Sequence, residues 1–414
     1  MDFSLAKINI CRNQKKDFFI LNILTFTSLF PNNAWPHHGV FVKERMVAVS
    51  KMPGWDVEVV APVPYFPNLK VGPWWVYSQV ARKEKIEGLT VHHPRYLLIP
   101  KIAMFLHGWL MFLGVLPYVK TLARLRPFDV IDAHYVYPDG LAAVLLGKYF
   151  HCPVVVSARG SDVSQFASFP LIAKFLKYTL SHSTQNIAVC EALKAGMVSL
   201  GIPPEKISVV PNGVDQKKFF PIDQAKARVR LGLPISKSIV LSVGGLIPRK
   251  GFDLLIKSFS HVTEKVKEKD LFLVIVGHGP ELVSLKQLVE KLQLSERVLF
   301  AGDIPHQDLY KWYSAADVFC LASSREGWPN VVLESLACGT PVVATAIWGT
   351  PEIISSPNLG ILAKRNVESF SCALEKGIVS SWDRAAIVQF AQKHSWEQVA
   401  DSVGNVLRKV GSYS

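Results

Sequence analysis

Short apolar runs rich in Val and Ile alternate with longer stretches whose apolar residues recur at helical spacing, and the alternation lasts through nearly the whole chain. Residues 19–26, 57–61, 130–133, 154–157, 186–189 and 207–210 form a first series of strand-like runs. Residues 239–243, 272–276, 298–301, 318–321 and 341–345 form a second, with helical patterns such as 252–266, 280–292 and 307–314 between them. Runs this apolar, separated by helices, predict an α/β protein with parallel sheets covered on both faces. The turn-rich run Pro211-Asn212-Gly213-Val214-Asp215, followed by Phe220-Pro221, interrupts the alternation and marks a junction. Two doubly wound domains are therefore expected, residues 18–212 and 213–395, after an extension of residues 1–17. Residues 396–410 read as one more amphipathic helix with no strand beyond it. Open parallel sheets bind ligands at the carboxyl ends of their strands, so the two domains would face each other across a cleft.

Composition narrows this picture. With 414 residues, 49% hydrophobic and only 19% charged, the chain can bury large cores, which argues against disorder. Cys11, Cys152, Cys190, Cys320, Cys338 and Cys372 are scattered in or beside apolar stretches and form no Cys-x-x-Cys pair. They read as buried thiols in a reducing compartment. A net charge of +13 admits nucleic acid, an anionic membrane surface or phosphorylated small molecules as partners. No dense basic stripe interleaved with aromatics is present, which argues against nucleic acid. Residues 18–30 follow Lys15 and Lys16 as a signal peptide would, but Asn22, Thr25, Thr27 and Ser28 interrupt them and no cleavage site follows. Residues 102–119 approach the roughly 20 apolar residues of a spanning helix. His107, Gly108, Gly114 and Pro117 break that stretch. It fits either a helix on a membrane surface, flanked by Lys101, Lys120, Arg124 and Arg126, or an ordinary buried helix.

Candidate chemistry concentrates in residues 323–341, where a strand runs into a polar loop holding Glu326, Gly327 and Trp328. A helix then begins near Pro329 or Asn330, continues through Val331 and stops at Gly339, leaving its free N–H groups pointing at the loop as an anion site. Glu326 lies beside that site and Glu334 one turn inside the helix. Carboxylates next to phosphates must hold something else, and sugar or ribose hydroxyls suit an acceptor-only group. Taken singly, Glu326 reads as a solvated loop acid and Glu334 as an acid favoured by the helix dipole. Together with the glycine, the helix start and the Ala337-Cys338-Gly339-Thr340-Pro341 stop, they point to a nucleotide-sugar.

This segment resembles the Glu-x7-Glu signature of the retaining glycosyltransferases of sequence family 4, whose GT-B fold sets two Rossmann-like domains across a cleft. The resemblance extends over most of the chain. Val276-Gly277-His278-Gly279-Pro280 resembles the glycine loop near the nucleoside, and Gly302-Asp303-Ile304-Pro305 the segment that contacts the base around Ile304. Trp348-Gly349-Thr350-Pro351-Glu352 resembles a structural turn, and residues 210–215 resemble the interdomain link. Residues 32–45 resemble the first strand–helix loop, where Gly39 allows a ligand to come close. The helix 396–410 resembles one that crosses back to complete the N-terminal domain. In Gly244-Gly245-Leu246-Ile247-Pro248-Arg249-Lys250-Gly251, Lys250 matches the family's diphosphate-binding lysine. Gly245 stands where the family often has arginine, and Arg249 is the candidate substitute. His134 resembles a strand-end histidine that lines the cleft, although a histidine in that place is as often structural. In Ser157-Ala158-Arg159-Gly160-Ser161-Asp162, Arg159 replaces a histidine that sits near the transferred sugar. An arginine cannot accept a proton near neutral pH. Asp162 fits a helix cap.

The resemblance implies a transferase acting on a nucleotide-diphosphate sugar, with no further cofactor, and a glycan or lipid-linked saccharide as acceptor in surface polysaccharide synthesis. Retention at the anomeric carbon follows, with Lys250, Arg249 and helix N–H groups stabilising the leaving diphosphate. The acceptor's proton would pass to the departing phosphate oxygen. No Asp-x-Asp motif or metal-ligand spacing is present, so a metal-independent route is expected. A cytoplasmic site, with peripheral contact at the inner membrane face, suits the charge and residues 102–119. A nucleotide-sugar epimerase or phosphorylase of the same fold, or a non-catalytic polyanion-binding protein, would be the alternatives.

Overall fold

The strand-like runs become two sheets because each carries apolar side chains toward both faces. The computed structural model describes residues 20–70, 72–99, 104–166, 169–266 and 270–411. The expected extension 1–17, with Cys11 and the Lys15-Lys16 pair, lies outside them, as do Phe19 and Lys101.

The N-terminal sheet uses β1 (Leu21–Phe26), β2 (Trp55–Val60), β4 (Lys83–Ile86), β5 (Leu89–His92), β7 (Val130–His134), β8 (Val154–Ala158), β9 (Gln185–Ala188) and β10 (Ile207–Val209). Its order is β10-β9-β8-β7-β1-β2-β5-β4, parallel throughout except where β4 meets β5. Two short strands, β3 (Val63–Pro64) and β6 (Arg95–Tyr96), pair separately. The C-terminal sheet consists of β11 (Ser238–Val243), β12 (Leu271–Val276), β13 (Val298–Gly302), β14 (Val318–Leu321), β15 (Val342–Thr345) and β16 (Gly360–Ala363). They run parallel in the order β13-β12-β11-β14-β15-β16.

Alternation along single strands shows the two-sided burial. On β1, Leu24 and Phe26 enter one core while Leu21 and Ile23 enter another. On β12, Val274 and Val276 divide in the same way from Leu271, Leu273 and Ile275. Strands β4, β5 and β16 are absent from the runs read in the sequence. β4 reads Lys-Glu-Lys-Ile, half of it exposed, because an antiparallel edge strand needs only one apolar face.

Strand order reverses between β7 and β1 in the first sheet and between β11 and β14 in the second. At such a point the loops leaving adjacent strands turn to opposite sides and open a crevice. The Gly244–Lys250 and Ala322–Trp328 loops flank the second crevice; the loops after β1 and β7 flank the first.

The domains touch at several places. The helix Trp396–Gly411 packs on the helix Val40–Ser50, with Val399, Val403 and Leu407 in the same core as Leu21 and Ile23. Glu352 accepts hydrogen bonds from the backbone N–H groups of Glu191 (2.8 Å) and Ala192 (3.0 Å), so a C-terminal acid satisfies the free start of the helix Glu191–Ser199. Trp328 packs against cores of both domains.

One expectation needs correction. Cys152, Cys190, Cys320 and Cys338 are buried, but Cys372 is exposed, because Phe370, Ser371, Ala373 and Leu374 take the inner face of its helix. The described part of the stretch 102–119 forms the short turn Met104–Leu106 and then the helix His107–Leu125; the span Met104–Leu125 is long and apolar enough by composition alone to cross a membrane. Met111, Val115 and Val119 nevertheless form a fully buried stripe at four-residue spacing, while Trp109 and Leu113 on another face are exposed.

Candidate active site

Lys250 and Glu326 come from the two loops that flank the reversal in the C-terminal sheet, and they meet. Lys250 Nζ donates to Glu326 Oε1 at 2.6 Å, and Ser323 Oγ donates to the same oxygen at 2.8 Å. Arg249 Nη1 stands 3.6 Å from Glu326 Oε2 and donates to the Arg325 carbonyl at 3.3 Å. Glu326 is thus a buried carboxylate between two cations. It is not the solvated acid a polar loop suggests.

The helix expected after this loop spans Asn330–Ala337, with Pro329 before it and Cys338 closing it. Glu334 points back toward the cleft from within the helix. Its Oε2 accepts from the Tyr313 hydroxyl at 2.9 Å, and its Oε1 lies 3.0 Å from His306 Nε2. Burial would lower the His306 pKa, but the Glu334 carboxylate outweighs it and raises the value from the usual 6.5. Neither Tyr313 nor His306 was read as a site residue. His306 directly follows Pro305 of the quoted Ile304 segment, so position alone could have flagged it. Tyr313 carried no signal beyond helical spacing.

Three adjoining cavities run along the cleft. One of about 390 Å³ is lined by Gly244, Gly277, His278, Ile304 and His306, with His37 and Val40 across from them. A second, about 130 Å³, brings Gly39 and Glu44 opposite Glu334, His306 and Asn330. A third, about 280 Å³, has Arg249, Glu326, Gly327, Trp328 and Asn330 on one wall and Tyr135 and Arg159 on the other. Pro329 is buried, and Val331 packs on the C-terminal core, so neither side chain joins these walls.

The N-terminal wall is built differently. Asp162 accepts backbone N–H groups of Arg159, Gly160, Val163 and Val136, which pins the loop after β8 to the loop after β7. Its role therefore exceeds that of a helix cap. Arg159 Nη1 donates to Asn212 Oδ1 at 3.1 Å, and Asn212 Nδ2 donates to Asn330 Oδ1 at 3.1 Å, a side-chain chain that crosses between the domains. Arg159 Nη2 contacts His134 Nδ1.

His134 itself is wholly buried, and its Nε2 lies 3.1 Å from Asp132 Oδ2. The expectation that it lines the cleft is corrected: Arg159 does, and His134 stands behind it. Burial pushes the His134 pKa down to about 4 against the opposing pull of Asp132, so at neutral pH the ring is uncharged and can accept from Arg159. Asp132 was also missed, although an acid inside an apolar strand run is a visible signal.

Gly39 serves its own chain as well as the cavity. Its φ is +65°, and a Cβ there would lie 2.2 Å from the Leu29 carbonyl oxygen. The close approach is made by this protein's own backbone, while Gly39 still borders the cavity with Glu334. Gly327 shows the same constraint between domains, since a Cβ would fall 2.2 Å from the Arg159 carbonyl oxygen. Among the described residues, no group of three or more His, Cys, Asp or Glu side chains is placed to hold a metal ion.

Two doubly wound domains with their strand ends facing across a cleft, and an acid–cation cluster at the reversal point, define a GT-B architecture. Solved structures agree in fold. Sucrose-phosphate synthase from Thermosynechococcus elongatus superposes with a TM-score of 0.77 at 20% identity, covering 95% of this chain and 100% of that one. Anabaena Alr3699/HepE in complex with UDP and glucose gives 0.70 at 18% identity, covering 94% and 100%. Residues 51–218 match the family described as Glycosyltransferase Family 4, and residues 223–394 the family described as Glycosyl transferases group 1. The chain belongs to these glycosyltransferases. It is 26% identical over 368 residues to TuaC, a glycosyltransferase named for teichuronic acid biosynthesis in Bacillus subtilis (strain 168), covering 86% of this chain and 89% of TuaC. It is also 34% identical over 221 residues to the D-inositol 3-phosphate glycosyltransferase of Acidothermus cellulolyticus, covering 50% of this chain and 49% of that protein.

Proposed function

We propose that the cleft binds a nucleotide-diphosphate sugar and transfers its sugar, with retention, to a glycan or lipid-linked acceptor in surface polysaccharide synthesis. The observation that carries the reading is the convergence of Lys250, Arg249 and Glu326 beside the first N–H groups of the helix Asn330–Ala337. Two cations and a helix start make an anion site, which suits a diphosphate. The cavity around Gly244, Gly277 and Ile304 has room for the nucleoside. Glu334, open to the neighbouring cavity, suits ribose hydroxyls. Glu326 reaches the sugar once phosphate shares its cations.

In the transfer, the bond between the anomeric carbon and the phosphate oxygen breaks as the acceptor oxygen bonds to that carbon on the same face. The acceptor's proton goes to the departing phosphate oxygen, and the nucleoside diphosphate leaves. Lys250 and Arg249 stabilise charge as it develops on that leaving group. His134 takes no part as a base, since Arg159 occupies its accepting nitrogen. The reading places the enzyme in the cytoplasm, at the inner membrane face, where exposed Phe105, Leu106, Trp109 and Leu113 would meet lipid.

A panel of nucleotide-sugars, read by thermal stabilisation and then by product analysis, tests this. The best donor should stabilise the parent and fail to stabilise Lys250→Ala and Glu334→Ala equally well. Equal stabilisation of both variants would overturn the site. Release of an epimer or a sugar phosphate without transfer would instead place the chemistry in another class.

A further inference from the structure

Arg159 is a cation without an acid. Its Nη1 and Nη2 bond to two neutral groups, Asn212 and His134, and its Nε has no hydrogen-bond partner although it is shielded from solvent. Phe41 lies under the guanidinium at 5.4 Å. Among the described residues no carboxylate comes within ion-pair distance of it. The acids of its surroundings are Asp132, which faces His134, and Asp162, which is engaged by four backbone N–H groups. Buried Arg45 adds a second positive charge nearby, bonded to Ser157 Oγ and the Val210 carbonyl. Burial and Arg45 both work against the charge on Arg159, and Asp132 and Asp162 only partly restore it. A guanidinium nonetheless keeps its proton at neutral pH. The wall thus holds a cation whose environment lacks a close counter-charge.

The cavity that Arg159 faces has the same imbalance. Arg249 and Arg325 line it with Arg159, against the single acid Glu326. Glu326 already serves Lys250, Ser323 and Arg249. Arg325 forms no ion pair among the described residues. The tryptophan on this wall, Trp328, has a buried indole N–H without a partner. Donors therefore outnumber acceptors, and even with Arg249 taken by the diphosphate a neutral sugar would leave Arg159 without a close counter-charge.

Resting on the donor reading above, which assigns the diphosphate to the opposite wall, we propose that the saccharide bound in this cleft carries an anionic group, a carboxylate or a phosphate, and that Arg159 recognises it. Arg159 is then the residue that selects an acidic sugar over its neutral counterpart. The anion belongs either to the transferred sugar or to the acceptor, and the two sources are separable by experiment.

The test uses the full chain and the nucleoside diphosphate that binds it best. In the first arm, titration calorimetry compares that nucleotide's uronate-bearing donor with the corresponding neutral hexose donor. In the second, the diphosphate-loaded protein is titrated with glucuronate or a sugar phosphate and with the neutral parent sugar. A charge-assisted pair contributes ~1.5–3 kcal/mol, so the acidic ligand should bind about 10- to 100-fold more tightly in one arm. Arg159→Gln should remove that preference while weakening the diphosphate itself far less, and Arg159→Lys should keep part of it. Preference in the first arm assigns the anion to the donor sugar; preference in the second assigns it to the acceptor. Equal binding of acidic and neutral ligands by the parent in both arms overturns the proposal, whatever the variants do. Loss of diphosphate affinity in Arg159→Gln as large as the loss for the acidic ligand also overturns it, by making Arg159 a phosphate ligand. If no nucleoside diphosphate binds the parent, the donor reading fails first and this inference with it.

Discussion

The two walls of the cleft carry similar charges in opposite states. On the C-terminal wall, Lys250 and Arg249 flank the Glu326 carboxylate directly, and Arg249 and Glu326 border the cavity where a ligand can reach them. On the N-terminal wall, Arg159 is fixed by Asn212, His134 and an Asp162-bonded backbone, without a carboxylate of its own. The first arrangement keeps Lys250 and Arg249 occupied by one shared acid until phosphate takes its place on them. The second holds one cation rigid in advance, which limits reorganisation when the substrate arrives. One wall is built to exchange partners and the other to hold a position.

The largest effect should come from breaking the exchanging wall. Lys250→Ala removes the cation closest to Glu326 and is expected to lower kcat for sugar transfer by about 100- to 1,000-fold, as removal of one transition-state donor does elsewhere. Steady-state transfer assays with the best donor check this. Gly327→Ala tests the contact between the walls. A methyl group 2.2 Å from the Arg159 carbonyl oxygen must push the domains apart, at a cost of about 1–3 kcal/mol in urea unfolding and with a raised KM.

Glu334→Gln gives a smaller, pH-dependent effect. His306 has a raised pKa in the folded chain, so its pairing with Glu334 stabilises most fully below about pH 6.5 and is lost as pH rises through the raised value. The stability gap between parent and Glu334→Gln should be ~0.3–1 kcal/mol at pH 6, since His306 is partly exposed, and should shrink by pH 8.5. Denaturant melts at the two pH values would show it. The smallest change is expected for Arg249→Ala. Its side chain is 41% exposed and its ion pair is loose, so stability should move by less than ~0.5 kcal/mol in the same melts. A drop comparable with that of Gly327→Ala would mean Arg249 braces the wall as well as lining it.

The central strands of both sheets were legible because two-sided burial writes continuous apolar runs into the sequence, as in 272–276 and 318–321. The helix after Glu326 was legible from its proline start and glycine stop. Edge strands were not, since a strand such as Lys83–Ile86 has one wet face and no such run. The sequence by itself determined the fold class, the family and the spacing of Glu326 and Glu334. Only the tertiary structure decided that Glu326 is clasped by Lys250, that Glu334 holds His306, and that His134 sits behind Arg159. Those partners are 25 to 76 residues apart, and their distances depend on how neighbouring loops leave a reversing sheet. Local spacing fixes which face of a helix or strand a side chain occupies. It says nothing of which distant loop will arrive opposite it.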